Sequence, residues 1–181
     1  MGLFSFFSKK ETIAKAKVKD MIWMYHGGKR QGCLNILKQN PNVALVAWFP
    51  ETQQQWQEFL QQQQVSQPVL LVRGLNALQL TGKSIIMLEH YPLASKEENF
   101  LQSIKQPEVI VLSAMDEPLF TKFGGQRIID LMQKLGMKED EAIEHKMITQ
   151  SLHNAQLKLE KKVITEQTAQ SMQEWFAKNA N

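Results

Sequence analysis

The chain has 181 residues, 43% hydrophobic and 22% charged, with a net charge of +3, a composition that fits one soluble globular domain, or one domain with a helical appendage, and that suffices for a real core. The positive charge is mild and rests on lysine, with Arg30, Arg73 and Arg127 as the arginines, so nucleic acid is not expected as a partner. Cys33 is the single cysteine, which excludes an internal disulfide and a cysteine-based metal knuckle and makes a reducing, cytoplasmic setting the default.

Residues 1–19 read as a short amphipathic segment. Leu3, Phe4, Phe6 and Phe7 are apolar, and Lys9, Lys10, Lys15, Lys17 and Lys19 follow. Such a segment either lays its phenylalanines into an anionic membrane surface or is a frayed terminus, and both readings stand. It lacks the basic start and small-residue cleavage site of a signal peptide, and no apolar run reaches the ~20 residues of a membrane span. Asp20 to His26 reads as a first buried strand, broken by Gly27-Gly28 ahead of a helix over Lys29 to Gln39. Val43 to Phe49 is a continuous apolar run, the mark of a parallel strand covered on both faces. A helix over Glu51 to Gln63 follows, with Trp56, Phe59 and Leu60 at i, i+3, i+4 spacing. Its other face is rich in glutamine, which reads as a neutral polar face rather than a low-complexity tract. Strands are expected at 69–73, 84–89 and 108–113, with a short helix over Lys96 to Ile104. Strands alternating with helices through short connections predict a mostly parallel sheet with helices on both faces. From Lys146 to Lys178 the chain looks helical, with a bend at the polar Thr165 to Gln170. Met172, Trp175 and Phe176 form an apolar stripe that reads as packing on its own domain.

Several residues invite a chemical reading. A strand, then Gly27-Gly28, then a helix can cradle a phosphate on a helix N-terminus. A P-loop also needs an upstream glycine and a hydroxyl after its lysine, and here Arg30 follows Lys29, so a plain turn is expected. Gly82-Lys83-Ser84 imitates a P-loop end, but Ala77 replaces the first glycine and a strand follows. Asp116 and Glu117 lie past the last strand, where α/β sites form. They can act as an acid/base pair or hold magnesium, or Asp116 can simply cap the next helical turn, the reading favoured here. His26, His90, His145 and His153 show no metal spacing, and Ser113 lacks the strained elbow of a nucleophile.

The stretch VIVLSAMDEPLFTKFGGQRIIDLMQKLGMKEDEAIEHKMITQSLHNAQLKLE, Val109 to Glu160, resembles the SecA preprotein translocase family, where its second nucleotide-binding fold runs into the helical scaffold. Leu112, Ser113, Phe123, Arg127, the turn Leu135-Gly136-Met137, and the triplets Ile143-Glu144-His145 and Asn154-Ala155-Gln156 carry the resemblance. Upstream, Ser84 to His90 resembles the family's strand ending in Glu-x-His, and Glu97 to Leu101 the helix after it. In SecA that helix leads into an arginine-rich segment that reaches the γ-phosphate of ATP. Gln102-Ser103-Ile104-Lys105-Gln106-Pro107 stands there in this chain, and no Gly-Arg dipeptide occurs in it. The Gly-Arg-Gly-Thr-Asp loop of the family has no counterpart between Gly74 and Gly82, and the P-loop and magnesium aspartate of its first motor domain are not in this sequence.

The resemblance therefore implies a three-layer, RecA-like (P-loop NTPase-like) α/β fold. Residues 1–19 form the N-terminal segment, 20–145 a degenerate motor domain and 146–181 a C-terminal helical extension. It also implies a non-catalytic interaction or regulatory module, cytoplasmic or peripheral at the membrane, with a protein partner, the secretion machinery among the candidates. No catalytic, cofactor-binding or metal-ligating residue is assigned, and no cofactor is expected. The alternative is a nucleotide-binding protein or ATPase that completes its site with a partner chain.

Overall fold

The computed structural model describes residues 17–180. Of the segment proposed to meet lipid, 1–19, residues 1–16 lie outside the described part. Five strands, β1 (Lys17–Trp23), β2 (Val43–Ala47), β3 (Val69–Leu71), β4 (Ser84–Met87) and β5 (Glu108–Ala114), form one sheet in the order β1-β5-β4-β2-β3. Every pairing is parallel, with Trp23 beside Ala114 and Val46 beside Met87. β1 begins three residues before the expected strand, so Lys17 to Lys19 belong to the sheet, and it ends at Trp23.

Alternation along the strands sets two packed faces. Trp23, Leu45, Ile86 and Leu112 turn toward α1 (His26–Gln39) and α2 (Pro50–Gln62), which contribute Cys33, Leu34, Leu37, Trp56 and Leu60. Ala44, Val46, Ile85, Met87, Val109 and Val111 turn toward α3 (Ala94–Ser103), whose Leu101 joins them. These layers are the expected three-layer, RecA-like α/β arrangement. The glutamine face of α2 has a structural task. Gln53 Nε2 donates to the Val69 carbonyl at 2.8 Å, and Val69 N–H donates to Gln57 Oε1 at 3.0 Å, so side-chain amides close backbone groups at the start of the outermost strand.

Two glycines explain how the last third of the chain meets the sheet. Gly28 lies within the first turn of α1 rather than before the helix, and it must be small there, since a Cβ would come within 2.1 Å of the Glu139 carbonyl oxygen and 2.9 Å of the Trp23 ring. Trp23 Nε1 also donates to the Asp140 carbonyl at 3.2 Å. After α4 (Pro118–Thr121) and α5 (Gly125–Lys134), Gly136 takes φ 79°. Met137 N–H bonds Met132 O, and Gly136 N–H bonds Gln133 O, the double closure of a Schellman end. The chain then returns to the sheet. Ile22 and Ile143 exchange both backbone hydrogen bonds, at 3.1 and 2.7 Å, in an antiparallel bridge on the free edge of β1.

α6 (Lys146–Glu160) starts at a cap made by His145, whose Nδ1 accepts from Met147 N–H at 3.2 Å. It is held by Leu152, Ala155, Gln156 and Leu159. Met147, in its first turn, is 72% exposed and takes no part in that packing. The expected helical run to Lys178 is interrupted more widely than a bend. Residues 161–171 are non-helical, and α7 (Met172–Asn179) packs Trp175 and Phe176 into a cluster with Tyr91, Leu119 and Phe120 at the C-terminal edge of the sheet. Glu166 ties the crossing down, accepting from the Tyr91 hydroxyl and from Trp175 Nε1 and pairing with Lys96.

Candidate functional site

In a parallel sheet, ligand sites form at the carboxyl ends of strands where successive connections leave in opposite directions. Here β2 leads outward to β3 and β4 leads the other way to β5, so the switch lies between β4 and β2. A cavity of about 450 Å³ opens at this edge. Its walls come from the first turns of α1 (His26, Lys29, Arg30) and α2 (Glu51, Thr52), from Glu89, from Asp116 and Glu117, and from Ser171 to Gln173.

Several features that can receive a phosphate already have an internal partner, while the Arg30 Nε at the same cavity has no hydrogen-bond partner among the described residues. The N-terminus of α2 faces Glu89, a residue 4% exposed. Its Oε1 accepts from Trp48 N–H and Phe49 N–H at 3.0 and 3.1 Å, and its Oε2 accepts from the Thr52 hydroxyl at 2.7 Å. A carboxylate of the chain thus sits where a bound anion would meet the helix end. Burial pushes the Glu89 carboxyl up to about 7, against the pull of Thr52, Lys29 and the Phe49 amide and with the help of the negative Glu117. The N-terminus of α1 is capped by Asp116, whose Oδ2 accepts from His26 N–H at 3.2 Å. This corrects the sequence reading, in which Asp116 caps the next turn along the chain. Glu117 occupies that N-cap position and makes no side-chain cap. Lys29, 1% exposed, forms a buried ion pair with Glu117, and His26 Nδ1 lies 3.6 Å from the same carboxylate. Burial raises the Glu117 carboxyl, but Lys29 and His26 outweigh it and hold it below the usual range. Arg30 lies over the Phe59 ring, 5.0 Å from its centroid.

The paired carboxylates of the sequence reading are therefore adjacent but separately employed, one as a helix cap and one as a counter-ion. Ser113 is fully buried, and its hydroxyl has no hydrogen-bond partner among the described residues. The four histidines form no cluster. His26 begins α1 and His145 caps α6, while His153 and the buried His90 line one cavity beside α6. Among the described residues no three His, Cys, Asp or Glu side chains are grouped to hold a metal ion.

A second buried polar cluster lies beneath α3 and α6, and the sequence reading did not find it. His90 Nδ1 is 2.7 Å from Glu97 Oε1, and its Nε2 is 3.2 Å from Asp20 Oδ1. Glu97 Oε2 accepts from Tyr91 N–H at 2.9 Å and from Gln156 Nε2 at 2.8 Å, and Gln156 also donates to the Tyr91 carbonyl at 2.7 Å. Burial pushes the His90 imidazole down, but Glu97 and Asp20 reverse this and carry it up to about 10. The ring is thus a buried cation at neutral pH. Burial likewise raises Asp20, yet His90 and Thr149 hold it below the usual carboxylate value. The available signal was Asp20 itself, an acid at an inward position of a strand that otherwise continues with apolar residues.

Fold and site together define a parallel α/β domain of RecA-like build, with an open cavity at its ligand edge where Glu89 and Glu117 bind groups of the chain itself. No family model matches the chain. Over 47 residues, 26% of the chain, it is 57% identical to the protein translocase subunit SecA of Acidithiobacillus ferrooxidans. Over the same length it is 47% identical to the SecA subunits of Acinetobacter baylyi and a Psychrobacter species. The matched stretch is 5% of the length of these relatives. The chain therefore contains a SecA-related segment. No described helix is long and apolar enough to cross a membrane.

Proposed function

We propose that the chain is a non-catalytic module derived from the second nucleotide-binding domain of SecA, and that it acts by binding another protein in or near the secretion machinery, in the cytoplasm or at the membrane surface. The observation that carries this reading is Glu89, which takes the amides and hydroxyl at the α2 N-terminus that a phosphate would need. The Lys29–Glu117 pair removes the nearest buried cation from use, and Gln102 to Pro107 replaces the arginine-rich segment. Phosphoryl transfer needs a phosphate cradle, a magnesium ligand and a cation for the transition state, and this edge offers no vacant set of them.

The test is phosphate release by the purified chain with magnesium and ATP, in the presence and absence of RNA or DNA. Background rates are expected throughout. Turnover in the wild type that disappears in Asp116→Ala, a substitution at the rim of the cavity, contradicts the reading. The interaction half is tested by titrating labelled protein with purified SecA, where saturable binding is expected.

A further inference from the structure

The apolar residues of α5 fall on one side of the helix. Ile129 and Met132 pack into the core, and Ile128 is half-buried at the edge of that contact. Leu131 and Leu135, one turn apart, are left 53% and 72% exposed. With Ile128 they form an uncovered stripe at i, i+3, i+7 spacing, about 10 Å long at the rise of an α-helix. Arg127 and Lys134 border the stripe on its outer flank, two turns apart and both exposed. Neither has an ion-pair partner among the described residues. Asp130, farther around the helix, accepts from Gln126 Nε2 at 2.8 Å.

Leucines uncovered at one-turn spacing suit a second helix, whose own apolar stripe packs lengthwise against them. The two cations fix its character. A helix seated on Ile128, Leu131 and Leu135 brings one flank beside Arg127 and Lys134, so acids two turns apart on that flank meet both. A second copy of the chain fits badly, because pairing α5 antiparallel with itself sets Arg127 of one copy beside Lys134 of the other. Residues 1–16, with Lys9, Lys10 and Lys15 against Glu11, carry the wrong sign. A bilayer covers more ground than a helix, and the exposed Glu139, Asp140 and Glu141 in the loop after α5 oppose an anionic one. We infer that α5 is a docking surface for an amphipathic helix of a partner protein, one with an aliphatic stripe and acids two turns apart beside it. The inference rests on the reading of the chain as a protein-binding module and gives the chemistry of the partner.

The experiment follows the fluorescence anisotropy of labelled synthetic peptides of about 18 residues, long enough to form a helix, as the full chain is added. One peptide carries a leucine stripe with a glutamate rail on one flank, and the other carries lysines at the rail positions. Saturable binding is expected for the glutamate peptide, at least ~10-fold tighter than for the lysine peptide. The double variant Leu131→Gln, Leu135→Gln, shown to be folded by circular dichroism, should weaken it by at least ~10-fold. Arg127→Glu with Lys134→Glu should reverse the preference between the peptides. The proposal is overturned if nothing saturates, if both peptides bind alike or if the leucine variant binds as the wild type does. It is also overturned if those two leucines instead drive self-association in sedimentation or binding to phosphatidylglycerol vesicles. Purified SecA separates this inference from the reading beneath it. SecA binding that survives the leucine variant sinks the α5 surface and leaves that reading standing, whereas peptide binding without SecA binding does the reverse.

Discussion

The two buried polar clusters answer the same problem in opposite ways. At the sheet's C-terminal edge, Lys29 is claimed by Glu117, and Glu89 is left to be buried beside a pair that is already neutral. Its carboxyl is driven up to about 7, so the cluster approaches neutrality by favouring the protonated acid. Beneath α3 and α6, the proton resides on His90 instead, and two carboxylates remain around one cation. At the edge where an α/β fold ordinarily takes its ligand, Glu89 holds the amides ahead of α2 and Glu117 holds Lys29, while the buried Arg30 Nε has no hydrogen-bond partner among the described residues. At the seam where α6 meets the sheet through Gln156, both carboxylates instead share the His90 ring.

The contrast can be broken by titration first. His90 has a folded value of about 10 against an ordinary 6.5. Its stabilising contribution is complete below pH 6.5 and is lost as pH rises through 10, a loss on the order of 4–5 kcal/mol by linkage. Denaturant unfolding of the wild type across this window should show the fall. His90→Gln should start lower and lack that component of the pH dependence.

Removing one partner of the other cluster comes next. Lys29→Met leaves Glu117 buried without its counter-ion and should cost about 3 kcal/mol or more. The double variant Lys29→Met, Glu117→Leu should recover much of that loss in the same unfolding measurement. If the single variant costs nothing, the ion pair is not what closes the edge.

Glu89 gives an effect of opposite design and smaller size. Its folded value of about 7 lies above the ordinary 4.5, so its contribution is complete below pH 4.5 and declines as pH rises through 7. The decline should be roughly 2–3 kcal/mol. Glu89→Gln retains acceptors for the Trp48 and Phe49 amides and should remove that slope. Equal slopes for wild type and variant between pH 4.5 and 7.5 would count against a strained, neutral-leaning acid.

The seam itself yields the smallest expected change. Gly136 has φ 79° and open space around it, so a side chain there meets no atoms but is held in a left-handed backbone. Gly136→Val should destabilise by about 1 kcal/mol through backbone strain alone. An unchanged melting temperature would show that the Schellman turn is not needed to bring Ile143 back to β1.

What the sequence made legible follows from which forces act locally. The apolar run Val43 to Ala47 and its neighbours announced a parallel sheet, because double burial leaves no polar positions in a strand. Gly136 announced its turn, because a left-handed helix end favours glycine. The Lys29–Glu117 pair was invisible, since its members lie 88 residues apart in the chain and meet only because β1 and β5 are paired neighbours. The same neighbourhood takes Asp116 away from the helix that follows it and gives it to α1. Gly27-Gly28 read as a plain turn, whereas Gly28 lies inside α1 and is small because the loop at Glu139 lies against it. The glutamines of α2 were readable as one helix face but not as the closure of the edge at Val69.

The central claim, that this edge is closed to phosphate by the chain's own side chains, is tested most directly by thermal unfolding of the full chain with increasing magnesium–ATP. A ligand at about 100 times its dissociation constant would add about 2.7 kcal/mol and several degrees to the melting temperature. The account predicts no shift beyond that produced by matched magnesium sulfate. A concentration-dependent rise with magnesium–ATP, absent with the sulfate and diminished in Lys29→Met relative to that variant's own baseline, would contradict it.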